Sequence, residues 1–87
     1  MATFHLQIVT PSQMLFDGEV ESLVAPGQNG YFGVLPHHAP LVAALGPGTL
    51  RVRKKDRTEF TRELTGGFLE VSNNEAVLLA ETPESPA

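Results

Sequence analysis

Few side chains in this chain could do chemistry, and their spacing limits what they could do. The adjacent His37 and His38 invite a metal reading. Neighbours on an extended chain point to opposite faces, so one ion rarely takes both, and zinc wants three or four ligands. The remaining histidine, His5, is distant in sequence, and no acid stands near the pair at ligand-like spacing. Gly27, Gly30 and Gly33 make a glycine-rich stretch, but a phosphate cradle needs a following helix, and a P-loop also needs Lys and Ser or Thr. Tyr31-Phe32-Gly33-Val34 offers neither, so turn geometry is the expected role. Ser12, Ser22 and Ser72 lie outside any Gly-x-Ser-x-Gly elbow. Glu19 and Glu21 read as sharing one solvated strand face, without the burial that would tune a carboxylate. The expectation is a chain with no catalytic residues, no metal and no cofactor, which works by binding.

The elements that would position a binding surface are strands. Phe4-His5-Leu6-Gln7-Ile8 alternates apolar and polar, and Thr10-Pro11-Ser12 ends it with turn chemistry. Residues 15–25 form a second extended stretch, in which Glu19-Val20-Glu21-Ser22-Leu23-Val24 reads as alternating and Gly18 suggests a bulge or bend. Pro26-Gly27-Gln28-Asn29-Gly30 is a turn cluster, followed by a short strand at 31–35 that Pro36 stops. His37-His38-Ala39-Pro40 is a loop. Leu41-Val42-Ala43-Ala44-Leu45 reads as a buried strand, because it is short and flanked by Pro and Gly. Residues 50–53 and 58–61 pair as a hairpin around Lys55-Asp56-Arg57, with Val52 facing Phe60 and Arg53 facing Glu59. Residues 68–71 and 76–80 are the last strands, the final one read as buried. They flank a turn at Ser72-Asn73-Asn74, and 82–87 is read as a frayed tail. Short strands at this spacing predict a sandwich or barrel.

Composition narrows the class. With 87 residues the chain makes one domain, and a domain this short buries only about 60–65% of its unfolded surface. Charged residues are 18% and hydrophobic ones 41%, apolar for so small a chain, which fits a surface partly covered by a partner. The net charge of −4 argues against a nucleic-acid binder. The basic run of Arg51, Arg53, Lys54, Lys55 and Arg57 reads as a solvated hairpin. There is no cysteine, hence no disulfide. The first residues lack the basic and apolar regions of a secretory signal, and no apolar run approaches the roughly 20 residues that span a bilayer.

The stretch Pro26-Gly27-Gln28-Asn29-Gly30-Tyr31-Phe32-Gly33-Val34-Leu35-Pro36-His37-His38-Ala39-Pro40-Leu41 closely resembles the epsilon subunit of the F-type ATP synthase. Leu6-Gln7-Ile8-Val9-Thr10-Pro11 is similar to that family's first strand and turn. Gly66-Gly67-Phe68-Leu69-Glu70-Val71, with Asn74 and Ala76-Val77-Leu78-Leu79-Ala80, is similar to its closing hairpin. The resemblance implies an all-β fold with no substantial helix, a flattened ten-stranded β-sandwich over residues 1–81. It implies a non-catalytic rotor subunit of the central stalk, which links the gamma subunit to the c-ring and couples proton translocation to ATP synthesis. It also implies a peripheral location on the cytoplasmic face of a bacterial inner membrane, without direct insertion.

Carried over by position, Gln28, Asn29, Gly30, Tyr31 and Phe32 match the loop at the c-ring, a contact that would rest on amides and aromatic area. His38, Ala39, Pro40, Leu41, Val42 and Ala43 match the region facing gamma, and a strand has two faces, so about half of them belong to the core. Typical members continue into a C-terminal helical hairpin that can inhibit hydrolysis and, in some, bind ATP. No amphipathic helix follows here, so neither a nucleotide nor hairpin-based inhibition is expected. Two other classes stay open at this point: an unrelated adaptor on a similar sandwich, and a small metal-dependent enzyme using His37 or His38.

Overall fold

The computed structural model describes residues 2–83. Among them are eight strands and no helix: β1 (Phe4–Val9), β2 (Met14–Gly27), β3 (Gly30–Val34), β4 (Leu41–Leu45), β5 (Gly48–Lys54), β6 (Glu59–Leu64), β7 (Gly66–Ser72) and β8 (Glu75–Glu81). The resemblance implied ten strands. The described count is eight, and one of the eight, β2, runs unbroken for 14 residues and serves two layers at once.

The first half of β2 pairs antiparallel with β1, from Phe4↔Val20 to Val9↔Met14. Its second half pairs with β3 along one edge and β5 along the other. β1 lies parallel to β8, and the first layer continues through β7 to β4. The second layer is β3, the end of β2, β5 and β6. Buried side chains from both layers form one core, with Leu6, Ile8, Leu69 and Leu78 from the first and Leu23, Leu50, Val52 and Leu64 from the second. The molecule measures 38 × 25 × 18 Å, and the short dimension suits two sheets packed about 10 Å apart.

β2 can serve both layers because it is bulged. Val20 pairs with Lys54 and Ser22 with Arg53, which leaves Glu21 as an extra residue. Val20 and Leu23 are both fully buried although they are three apart. Strict alternation would have put Val20 and Ser22 on one face. The extra residue resets the phase and bends the strand. The bulge is therefore at Glu21 and not at Gly18, which pairs regularly with Leu6. Gly18 has a different role. The Phe16 ring lies over it, within 3.3 Å of where its Cβ would stand, and stacks on Phe60 with centroids 5.7 Å apart.

The hairpin of β5 and β6 has the expected register, Val52↔Phe60 and Arg53↔Glu59. Arg57 takes φ 74 in its loop. Asp56 accepts hydrogen bonds from the Thr58 hydroxyl (2.6 Å) and amide (3.0 Å), and the hydroxyl bond above all holds its carboxyl below its ordinary value. The turn between β7 and β8 places Asn73 at φ 53 and Asn74 at φ 60. Positive φ at both central residues is the type I′ geometry that matches strand twist, and Asn tolerates it better than other side chains.

Asn74 also joins distant segments. Its Oδ1 accepts from the His37 amide at 2.7 Å, its Nδ2 donates to the Thr3 carbonyl at 2.9 Å, and its carbonyl accepts from the His5 amide at 3.2 Å. Asn74→Ala should remove both side-chain bonds and the left-handed preference, lowering stability by about 1–3 kcal/mol. Asn74→Asp, which keeps the acceptor, should fall between the two in urea denaturation. A stability equal to wild type for the alanine variant would show that the junction contributes nothing.

Candidate functional site

The first layer has an outer face, and its composition was not foreseen. Cross-strand pairing aligns Ala44, Phe68, Leu79, Val9 and Met14 in one row across five strands. Phe68 is 45% exposed, Leu79 54% and Met14 50%. The next row is Val42, Glu70, Val77, Gln7 and Asp17, with Val42 exposed at 61%. A third row begins at Ser72 and passes through Glu75 and His5 to Glu19. The face thus grades from apolar to acidic across three rows. A groove of about 380 Å³ runs along the apolar row, lined by Val9, Thr10, Pro11, Phe68, Leu79 and Glu81 among others.

β8 is therefore buried on one face only. Ala76, Leu78 and Ala80 enter the core while Val77 and Leu79 face out. β4 behaves in the same way. Leu45 is buried, and Leu41 packs against the core from its margin. Ala43 is half-buried, and Val42 is exposed. Of the segment expected to face gamma, Ala39, Pro40 and Val42 are accessible and His38 is half-buried, its ring Nδ1 2.7 Å from the Ala39 carbonyl. Sequence reading missed Phe68, Leu79, Val9 and Met14. The signal was there in Phe68-Leu69-Glu70-Val71, where Leu69 and Val71 point inward and leave Phe68 outside.

The second candidate segment lies at the other end of β4. The hairpin of β2 and β3 closes with Gly27↔Gly30, and Gly27 also pairs with Leu45. Gln28, Asn29 and Gly30 are exposed at its tip. Phe32 departs from the expectation: it is half-buried and packs against the core, so only part of its ring is available for contact. Tyr31 is 59% exposed but held in place. Its hydroxyl accepts the Thr49 amide at 2.9 Å, and its ring fills the space over Gly48. A Cβ there would come within 2.5 Å of the Tyr31 hydroxyl and 2.7 Å of Pro26. Glycine at 48 is what lets the ring lie flat.

His5 sits on the acidic margin of the outer face. Its Nε2 is 2.6 Å from Asp17 and its Nδ1 3.1 Å from Glu19, and Glu19 also accepts the Thr3 hydroxyl at 2.8 Å. Two carboxylates on two ring nitrogens suit the imidazolium, in which both nitrogens donate. The hydrogen bond to Glu19 above all raises the His5 pKa from its ordinary 6.5. The Thr3 and His5 hydrogen bonds lower that of Glu19 from 4.5. Glu21, expected to be solvated beside Glu19, is instead 12% exposed, with Arg57 Nε 3.6 Å away. The bulge turns it from Glu19 and makes it a separate ion pair. Among the described residues, no group of three or more His, Asp or Glu could hold a metal ion.

Comparison with known proteins agrees on a single family. The family model described as "ATP synthase, Delta/Epsilon chain, beta-sandwich domain" matches residues 3–86. The ATP synthase epsilon chain of Chlorobaculum tepidum is 54% identical over 78 residues, covering 90% of this chain and 89% of that one. The epsilon chain of Moorella thermoacetica is 42% identical, covering 97% of this chain but 63% of its own length. A chain in the solved OSCP/F1/c-ring of Euglena gracilis mitochondrial ATP synthase superimposes with a TM-score of 0.85. The alignment is 22% identical and covers 92% of this chain and 51% of that one.

Two outcomes follow from these geometries. The protein has one tyrosine and no tryptophan, so its near-ultraviolet emission reports on Tyr31. Tyr31→Phe should cost about 0.5–1.5 kcal/mol through the lost hydroxyl bond. Gly48→Ala should cost more and change the emission, since the ring must leave; unchanged emission would mean the ring is not held there. The His5 cluster should also give a pH signature. The raised His5 pKa stabilises fully below 6.5 and loses its effect as pH rises through the raised value. The lowered Glu19 pKa stabilises above 4.5 and loses its effect as pH falls through the lowered value. His5→Gln should therefore lower the melting temperature most between 4.5 and 6.5 and least in alkali. A deficit independent of pH would contradict the ionic reading.

Proposed function

The chain belongs to the beta-sandwich domain family of ATP synthase delta and epsilon chains, and on that premise we propose that it is a non-catalytic rotor subunit of an F-type ATP synthase. In this reading it links the gamma subunit to the c-ring in the central stalk and couples proton translocation to ATP synthesis, while catalysis takes place on other subunits. It lies peripherally on the cytoplasmic face of a bacterial inner membrane and holds no nucleotide.

The observation that carries the reading is the apolar row on the outer face of the first layer. A folded domain this small rarely leaves Phe68, Leu79, Met14 and Val42 exposed on one sheet face unless a partner covers them. The long and middle dimensions of the molecule, 38 × 25 Å, leave room for the roughly 800 Å² that one partner contributes to a standard interface. Gamma is the occupant proposed for it, with His38, Ala39, Pro40 and Val42 extending the contact along β4. Leu41 and Ala43 support that strand from the core side. The c-ring is the partner proposed for the hairpin tip, through Gln28, Asn29, Gly30 and the outer face of Tyr31, with the exposed part of Phe32 beside them. The two contacts meet near the Leu45 end of β4, where the Gln28 amide donates to the Ala44 carbonyl and Ala44 opens the apolar row, and from there the gamma contact runs along β4 toward Pro40.

Calorimetric titration with the gamma subunit from the same source tests the assignment. One-to-one binding is expected. Phe68→Asp, Leu79→Asp and Val42→Asp should each weaken it by about 2 kcal/mol or more, roughly thirtyfold. Thr61→Asp, on the outer face of the second layer, should leave it unchanged. A folded wild type without affinity for gamma would overturn the proposal. In the assembled enzyme, Gln28→Cys should form crosslinks to cysteines placed in the loops of the c-ring.

A further inference from the structure

The hairpin tip holds a reactive pair of residues whose chemistry needs no partner. Asn29 is the one asparagine of the chain followed by glycine. Both residues are exposed, and the Asn29 amide makes no hydrogen bond to another described residue. Gly30 stands at φ 125, and nothing lies within 4 Å of the position a Cβ would take. It follows the two-residue turn directly, in the pair Gly27↔Gly30 that closes the hairpin. A glycine without a side chain, in open space, puts no steric barrier between its nitrogen and the preceding side chain.

We propose that Asn29 is a site of spontaneous deamidation, which places a carboxylate at the exposed tip of the hairpin of β2 and β3. The Gly30 backbone nitrogen loses its proton and attacks Cγ of Asn29. The N–Cγ bond forms, the Cγ–Nδ2 bond breaks, and ammonia leaves with that proton. Water then opens the five-membered imide at either carbonyl and gives aspartate or isoaspartate. One water is consumed and one ammonia released, with no oxidant or cofactor. Either product carries a new negative charge, and the isoaspartate also adds a methylene to the backbone of a two-residue turn. Because the attacking nitrogen must be deprotonated, the change accelerates as pH rises.

The other candidate positions are protected for reasons visible in the structure. Asn74 uses its side-chain oxygen and nitrogen in hydrogen bonds, and Asn73 precedes a residue with a side chain. Asp17 precedes Gly18, but its carboxylate is engaged by His5 and the pair sits within the continuous ladder of β1 and β2.

The test is to hold the purified full chain in mildly alkaline buffer at physiological temperature. Peptide mass spectrometry would follow the three asparagines, with isoaspartyl methyltransferase labelling as a second readout. The acid should accumulate at 29 while 73 and 74 keep their amides. Asn29→Gln, which leaves the backbone untouched and lengthens the side chain, should abolish the labelling with circular dichroism unchanged. Gly30→Ala should slow the reaction several-fold. The proposal is overturned if position 29 keeps its amide as long as 73 and 74, whether or not the urea-unfolded chain reacts. It is also overturned if the label persists in Asn29→Gln, since that would assign it to Asp17.

Discussion

One strand belongs to both layers, and the rest of the molecule depends on how it manages this. β2 gives its first half to β1 and its second to β3 and β5. A flat strand would have had to end at the boundary. The extra residue at Glu21 shifts the side-chain phase by one, so that Val20 and Leu23 both reach the core. With the phase reset, one set of apolar side chains fills the space between the layers. A domain this small has little core to spare, so continuity across the two halves matters more than in a larger protein. The ion pair of Glu21 with Arg57 lies at the bend, which ties the loop of β5 and β6 to the same point.

Around that frame, short polar clamps fix the segments that leave the sheet. Asn74 holds the start of the His37 loop, the residue preceding β1 and the β7–β8 turn together. Tyr31 is held by Thr49 over a glycine that leaves room for it. Both clamps lie next to surfaces proposed as contacts. A surface fixed before its partner arrives loses less conformational freedom on binding. The exposed apolar row is fixed in the same way, because each member stands on a strand whose alternate side chains are buried.

Local sequence made much of the fold legible. The alternation of β1, the register of β5 against β6 and the turn at Asn73-Asn74 each follow from neighbouring residues. What stayed hidden was set by distance along the chain. The bulge at Glu21 depends on which strands flank β2 on each side, and nothing in Glu19-Val20-Glu21-Ser22-Leu23-Val24 states that. Strands apolar on both faces, such as 76–80, read as buried because composition alone cannot separate a core face from an exposed apolar one. The outer row joins residues 9, 14, 44, 68 and 79, which only the pairing brings together. The polar clamps were invisible for the same reason. The two candidate segments themselves were legible through resemblance, but which of their side chains face out was decided by β4, whose pleat turns Val42 outward and Leu41 toward the core.

The parallel pairing of β1 with β8 has a mechanical consequence. These are the first and last strands among the described residues, and they run side by side in the same direction, so tension between the start of β1 and the end of β8 loads them in shear. Their hydrogen bonds share such a load and must fail together, whereas an antiparallel pair pulled from one end opens like a zipper, one bond at a time. The lap joint of β1 and β8 thus resists a pull along the strands with its whole length rather than with one bond at a time.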